Sequence, residues 1–167
     1  EIAEEDRQTL LKDIGALAAD GQGGDSRRFM NWDELRRLAA HPLATLGAHT
    51  VHHYNLKRLS ARAALSEMAD SAAIIARETG ARPRHFAYPY GYESAVGPRE
   101  VELAGQAGFA SAVTTRHGVL VPGHAAHPHA LPRISVNGNF QRLTYMRTLL
   151  SGLTTPLSNG GRRLVTV

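Results

Sequence analysis

Leu43-Ala44-Thr45-Leu46-Gly47-Ala48-His49-Thr50-Val51-His52-His53 is the stretch from which the rest of the chain can be read. Its first part, residues 43–48, is a short apolar run of the length of a buried strand, and histidines follow at its C-terminal end. His49 and His53 stand at i and i+4, a spacing that on one helical turn sets Cβ atoms about 5–6 Å apart. Two imidazoles at that separation can converge on one divalent cation. The plainer alternative is a pair of surface or hydrogen-bonded imidazoles, and His52 could share a face with His49 instead.

Outward from this stretch the pattern alternates. Residues 84–88 read as a second strand that runs straight into the turn Pro89-Tyr90-Gly91. Between the two, Ser60 caps a long helix with Leu65, Met68, Ala72 and Ile75 on one stripe, ended by Gly80. Pro98 starts a helix that Gly108 stops, and residues 109–115 and 131–136 read as further strands. Residues 140–150 form a last amphipathic helix, and the tail from Gly152 is loose until a strand-like end at 164–167. Upstream, residues 4–19 have helical periodicity and residues 20–25 form a Gly-rich loop without the Lys-Ser/Thr of a phosphate cradle. Asn31 and Glu34 make a capping box for a helix that turns Trp32, Leu35, Leu38 and Ala39 inward and ends before Pro42.

Strand, helix, strand, helix, strand predicts an α/β fold with parallel strands, whose sites gather at strand C-termini. The histidines and the Tyr-Pro-Tyr turn both fall on that edge. The expected organisation is an N-terminal helix and loop at 1–30, an α/β domain at 31–151 and a tail at 152–167.

Composition narrows the class. At 167 residues and 43% hydrophobic content the chain is one ordinary globular domain in size. No segment approaches the roughly 18 consecutive apolar residues of a membrane helix. With no cysteine, thiolate ligands and disulfides are excluded. The net charge of +4 is carried almost wholly by scattered arginines, in pairs such as Arg27-Arg28, Arg36-Arg37 and Arg162-Arg163. A nucleic-acid protein would show a basic stripe with stacking aromatics, so no nucleic-acid partner is expected.

The stretch from Gly47 through Asn55 and Leu56 resembles the metal-binding motif of polysaccharide deacetylases, the carbohydrate esterases with a nodulation-type deacetylase domain. Phe86-Ala87-Tyr88-Pro89-Tyr90-Gly91 is similar to that family's third motif, and Ala107-Gly108-Phe109 with Ala112-Val113-Thr114-Thr115 to the strand after it. The resemblance covers residues 30–150 and keeps the family's motif order. It implies a distorted (β/α) barrel holding a divalent metal, most often zinc, on one Asp and two His. A second Asp acts as general base on a metal-activated water, which attacks the acetamide carbonyl of an N-acetylated saccharide. By that resemblance His49 and His53 are the metal ligands, and the backbone N–H of Tyr90 contributes to the oxyanion hole. Tyr88 and Pro89, together with Leu131, would line the substrate groove.

Several pieces of the pattern have no counterpart. No strand ends in the family's Thr-Phe-Asp-Asp; Asp6, Asp13, Asp20, Asp25, Asp33 and Asp70 all fall in helices or loops. The first strands, the third ligand and the base are therefore expected upstream of these residues, and the chain on its own is expected to be inactive. Ala87 stands where the family often has an Arg that orients the base, and Arg133 where a late His would act as general acid. His127 and His129 lie close to that position. A non-catalytic relative that keeps the saccharide groove is the competing expectation. Family habit favours the cell envelope or secretion as location.

Overall fold

Three strands form the parallel sheet that the alternation predicts: β1 (His85–Ala87), β2 (Ser111–His117) and β3 (Leu131–Arg133), side by side in that order. The computed structural model describes Thr9 and residues 30–167. The helix expected at 4–19, the loop at 20–25 and nearly all of the expected unit 1–30 lie outside the described residues. Register aligns Ala87 with Val113 and Val113 with Leu131, so one row of residues crosses the sheet at the end of β1.

The run at 43–48 does not become a strand of its own. Only Ala48 joins the sheet, as a parallel bridge to Phe86. Its N–H donates to the His85 carbonyl at 2.8 Å, and its own carbonyl accepts from the Ala87 N–H at 2.9 Å. Leu43 is 90% exposed. A strand needs a lateral partner along its length, and among the described residues only the last position finds one. Gly47 keeps this approach uncrowded, since a Cβ would lie 3.3 Å from the His85 carbonyl oxygen.

Helices pack against the sheet. In α1 (Trp32–Ala39) the predicted capping box is formed: Asn31 Oδ1 accepts from the Glu34 N–H at 2.9 Å, and Glu34 Oε2 from the Asn31 N–H at 2.8 Å. Its expected inward face is not buried, however. Trp32 and Leu38 are each 40% exposed and no α1 residue is fully covered, because its main neighbour among the described residues covers only part of it. That neighbour is α2 (Ala61–Thr79), whose Glu78 carbonyl accepts from Arg36 at 3.0 Å. Ser60 caps α2, and Gly80 ends it in the left-handed conformation at φ 79°. Its buried stripe is Ala64, Glu67, Met68, Ser71 and Ala72.

The core collects Phe86, Tyr88 and Phe109, with Phe86 5.0 Å from Phe109 and 5.2 Å from Tyr88 between ring centres. Helix α3 (Pro98–Gln106) closes it with Leu103 and Ala104. The first turn of α3 also grips the segment after the histidines: Arg99 donates to the Leu56 carbonyl at 2.8 Å and the Leu59 carbonyl at 3.0 Å. Arg99 is itself held by the buried carboxylate of Glu100.

After β3 come α4 (Leu143–Leu150) and α5 (Thr154–Ser158). The tail expected to be loose is tied down. Asn159 donates to the His117 carbonyl at 2.8 Å, and His124 to the Val165 carbonyl at 3.1 Å. Arg116 donates to the Thr166 carbonyl. No strand forms at 164–167, because these carbonyls are taken by side chains rather than by a sheet edge.

Candidate metal site at the end of the sheet

The two histidines meet, though not by helical geometry. Residues 49–53 form a bend in which Thr50 has φ 64° and His53 φ 58°. Left-handed backbone at two non-glycine residues reverses the chain within five positions and turns both imidazoles to one side. Their ring centres stand 4.8 Å apart, edge to face. The Thr50 hydroxyl secures the bend by accepting from the His53 N–H at 3.0 Å.

His49 is oriented by the sheet. Its Nδ1 lies 2.7 Å from the carbonyl oxygen of Ala87, the last residue of β1. A carbonyl can only accept, so Nδ1 carries a proton, and in the neutral ring the lone pair is on Nε2. Metal-bound histidines are held by this kind of outer contact. The sequence did not reveal which group would supply it.

Sequence reasoning missed Glu67. From α2 its Oε2 accepts the backbone N–H groups of Val51 at 3.0 Å and His52 at 2.9 Å, and its Oε1 accepts from His52 Nδ1 at 2.6 Å. His52, stacked on Tyr54 at 5.1 Å, is thereby turned to the brace rather than to the histidine pair. A signal was present. Glu67 occupies an apolar-face position in the stripe 64, 67, 68, 71, 72, where a carboxylate needs a partner.

Tyr90 brings the second motif to the first. Its ring centre is 5.0 Å from that of His53, edge to face, and 5.9 Å from that of exposed Tyr92. The Gly91 N–H donates to the Pro89 carbonyl at 2.7 Å, closing a γ-turn around Tyr90, whose φ is 64°. The Thr115 hydroxyl donates to the Tyr90 carbonyl at 2.6 Å, and the Thr115 N–H to the Gly91 carbonyl at 3.0 Å. A Cβ on Gly91 would come within 2.5 Å of Thr115 N, so β2 and the turn can pack this closely only with glycine. Among the described residues, the positive-φ non-glycine positions are Thr50, His53 and Tyr90, all at this site. Backbone strain of this kind clusters at functional sites.

The other expected groove residues lie elsewhere. Tyr88 is 1% exposed, its hydroxyl donating to the His129 carbonyl at 2.8 Å, and burial pushes its phenol pKa well above the ordinary value. Its side chain belongs to the core, since strand alternation turns it inward behind Phe86. Pro89 is also buried. Leu131 is half-buried at the start of β3, in the same row as Ala87 but two strands away, about 10 Å across the sheet. Of the residues near the late motif, His129 donates to the Phe109 carbonyl at 2.7 Å and Arg133 to the Thr114 carbonyl at 2.7 Å. His127 is exposed.

The donor set fits two coordination positions of a divalent cation. Neutral imidazoles suit zinc, and His49 is already in the required tautomer. Among the described residues no cluster of three His, Asp or Glu completes the set. Asp33 is engaged by Arg36 at 2.6 Å on α1, and Asp70 is exposed on α2.

Comparison with known proteins gives the family and the fold. The profile described as polysaccharide deacetylase matches residues 14–110, more than half of the chain. The chain belongs to the polysaccharide deacetylase family. Among solved structures, it is similar to the Streptococcus pyogenes deacetylase PplD in complex with acetate, at a TM-score of 0.65 and 21% identity, over 74% of this chain and 52% of that one. It is also similar to IcaB from Ammonifex degensii, at 0.57 and 23%, over 77% and 55%. The BpsB deacetylase domain from Bordetella bronchiseptica aligns at 0.55 and 20%, over 68% and 56%. The chain thus spans about half the length of these structures. No curated protein sequence matches.

Proposed function

We propose that the protein is a metal-dependent deacetylase that removes N-acetyl groups from a polysaccharide or oligosaccharide. The observation that carries this reading is the meeting of His49, His53 and Tyr90 at the end of the sheet, with the His49 tautomer set by Ala87. In this reading the three parallel strands are part of the distorted barrel expected for the family.

His49 and His53 would hold the cation, zinc by the chemistry of the donors, and the remaining ligand and the base would be carboxylates beyond the described residues. Such a cation lowers the pKa of a water from 15.7 toward about 7 and polarises a carbonyl. The chain's own residues do the positioning. Ala87 fixes the His49 ring, Glu67 holds the bend, and the γ-turn sets Tyr90, whose ring packs edge to face on His53; its backbone N–H would serve the oxyanion. An amide N–H aimed at a developing oxyanion is worth roughly 3–4 kcal/mol. Exposed Tyr92, beside half-buried Tyr90, offers a ring face for a sugar.

The competing reading, a saccharide-binding relative without turnover, is favoured by one observation. Arg133, where the resemblance expects a general-acid His, is committed to the Thr114 carbonyl. Acetate release from an N-acetylglucosamine oligomer by the full-length protein, measured with zinc and after chelation, decides between them. Zinc-dependent release is the expected result. Binding of the oligomer by zinc-loaded protein with no acetate formed would establish the non-catalytic reading.

A further inference from the structure

Glu102 is the last acidic residue of the sequence; residues 103–167 contain arginines at 116, 133, 142, 147, 162 and 163 and neither Asp nor Glu. Among the described residues, the same part of the chain carries a dense set of uncovered aliphatic side chains. Leu143 and Leu150 of α4 are 74% and 64% exposed, and Leu153 and Leu157 at α5 are 68% and 83% exposed. Helical spacing puts Leu143 and Leu150 two turns apart on one face of α4, with exposed Arg147 beside them. Leu153 and Leu157 stand one turn apart, and Arg163 lines the same cleft as Leu153. Soluble surfaces scatter single leucines but rarely group them.

We propose that α4, α5 and the arginines around them form a docking surface for an anionic lipid bilayer. Charge complementarity selects the partner: four exposed arginines, Arg142, Arg147, Arg162 and Arg163, outnumber Glu93, the carboxylate that lines the same hollow as Arg162, and their excess positive charge attracts anionic headgroups. The leucines separate a bilayer from a soluble polyanion, which would leave them in water. Arginine stems lie along apolar surface while their heads reach the phosphates, so mixed Leu/Arg faces suit the headgroup boundary. Among the described residues no helix is long and apolar enough to cross a membrane, so the contact is with the surface.

Co-sedimentation with vesicles tests this directly, using phosphatidylglycerol/phosphatidylcholine mixtures beside pure phosphatidylcholine. The expected result is binding to the anionic vesicles only, reduced about tenfold or more in Arg162→Gln/Arg163→Gln and comparably in Leu143→Ser/Leu157→Ser. All of these positions are exposed, and unchanged far-UV circular dichroism confirms the fold of each variant. Absence of binding, equal binding to neutral vesicles, or loss in only one of the two variants would overturn the proposal. So would concentration-dependent dimerisation that Leu143→Ser/Leu157→Ser abolishes, since the leucines would then serve a second copy of the chain.

Discussion

The imidazole Nδ1 of His49 lies 2.7 Å from the carbonyl oxygen of Ala87, although 38 positions separate the two in sequence. One contact therefore links the histidine motif to the last residue of β1. A main-chain carbonyl cannot be deleted by substitution, so the constraint survives any side chain at position 87. Ala87→Val should accordingly leave the site's tautomer intact, as read from the His49 ring resonances by NMR.

Glu67 is expected to be the side chain whose loss most disturbs the bend. Three hydrogen bonds converge on its carboxylate, which is 11% exposed. Glu67→Ala strands the two backbone N–H groups and should lower stability by about 1–3 kcal/mol. Urea denaturation measures this, and Glu67→Gln, which keeps one acceptor oxygen, should lose less.

Gly91 and Gly108 form an internal comparison. Both have positive φ, 68° and 83°, but a Cβ at Gly91 meets Thr115 N at 2.5 Å while one at Gly108 meets nothing within 4 Å. Gly108→Ala should cost about 1–2 kcal/mol from backbone strain alone. Gly91→Ala adds a clash with the main chain of β2, and its unfolding midpoint should fall clearly below that of Gly108→Ala. Equal midpoints would mean that the turn does not pack on β2 as described.

Tyr88 gives the fold an alkaline limit. Burial, aided by the negative charge of Glu100, raises its phenol pKa above the ordinary value of 10.0. The neutral phenol is therefore favoured by the folded state. Its contribution is complete below pH 10.0 and is lost as pH rises above that value, because the unfolded chain ionises first. Tyr88→Phe should lower stability at neutral pH by about 1 kcal/mol through the lost bond to His129. It should also flatten the decline in stability between neutral and strongly alkaline pH, as followed by thermal melts.

Where local chemistry decides, the sequence was legible. The Asn31/Glu34 box, the Ser60 cap and the Gly80 stop fall where their side chains and φ requirements put them. The strand at 43–48 failed because pairing is not a local property, and only Ala48 meets a neighbour. Trp32 and Leu38 mark an apolar face, but periodicity does not say whether anything lies against it. The histidine pair was found through the spacing of a helix that does not form; a bend with two left-handed residues achieves the same meeting. Tyr88 was placed in the groove by motif position, whereas alternation along β1 already pointed it inward. Long-range partners such as Glu67 and the Ala87 carbonyl depend on which elements touch, which spacing alone does not encode.

Metal analysis of the purified, zinc-equilibrated protein bears most directly on the site. Inductively coupled plasma mass spectrometry should find zinc bound stoichiometrically to the full-length protein and lost from its His49→Ala and His53→Ala variants, with Tyr92→Phe unaffected. Zinc content unchanged by both histidine substitutions would contradict the assignment of these two rings as ligands.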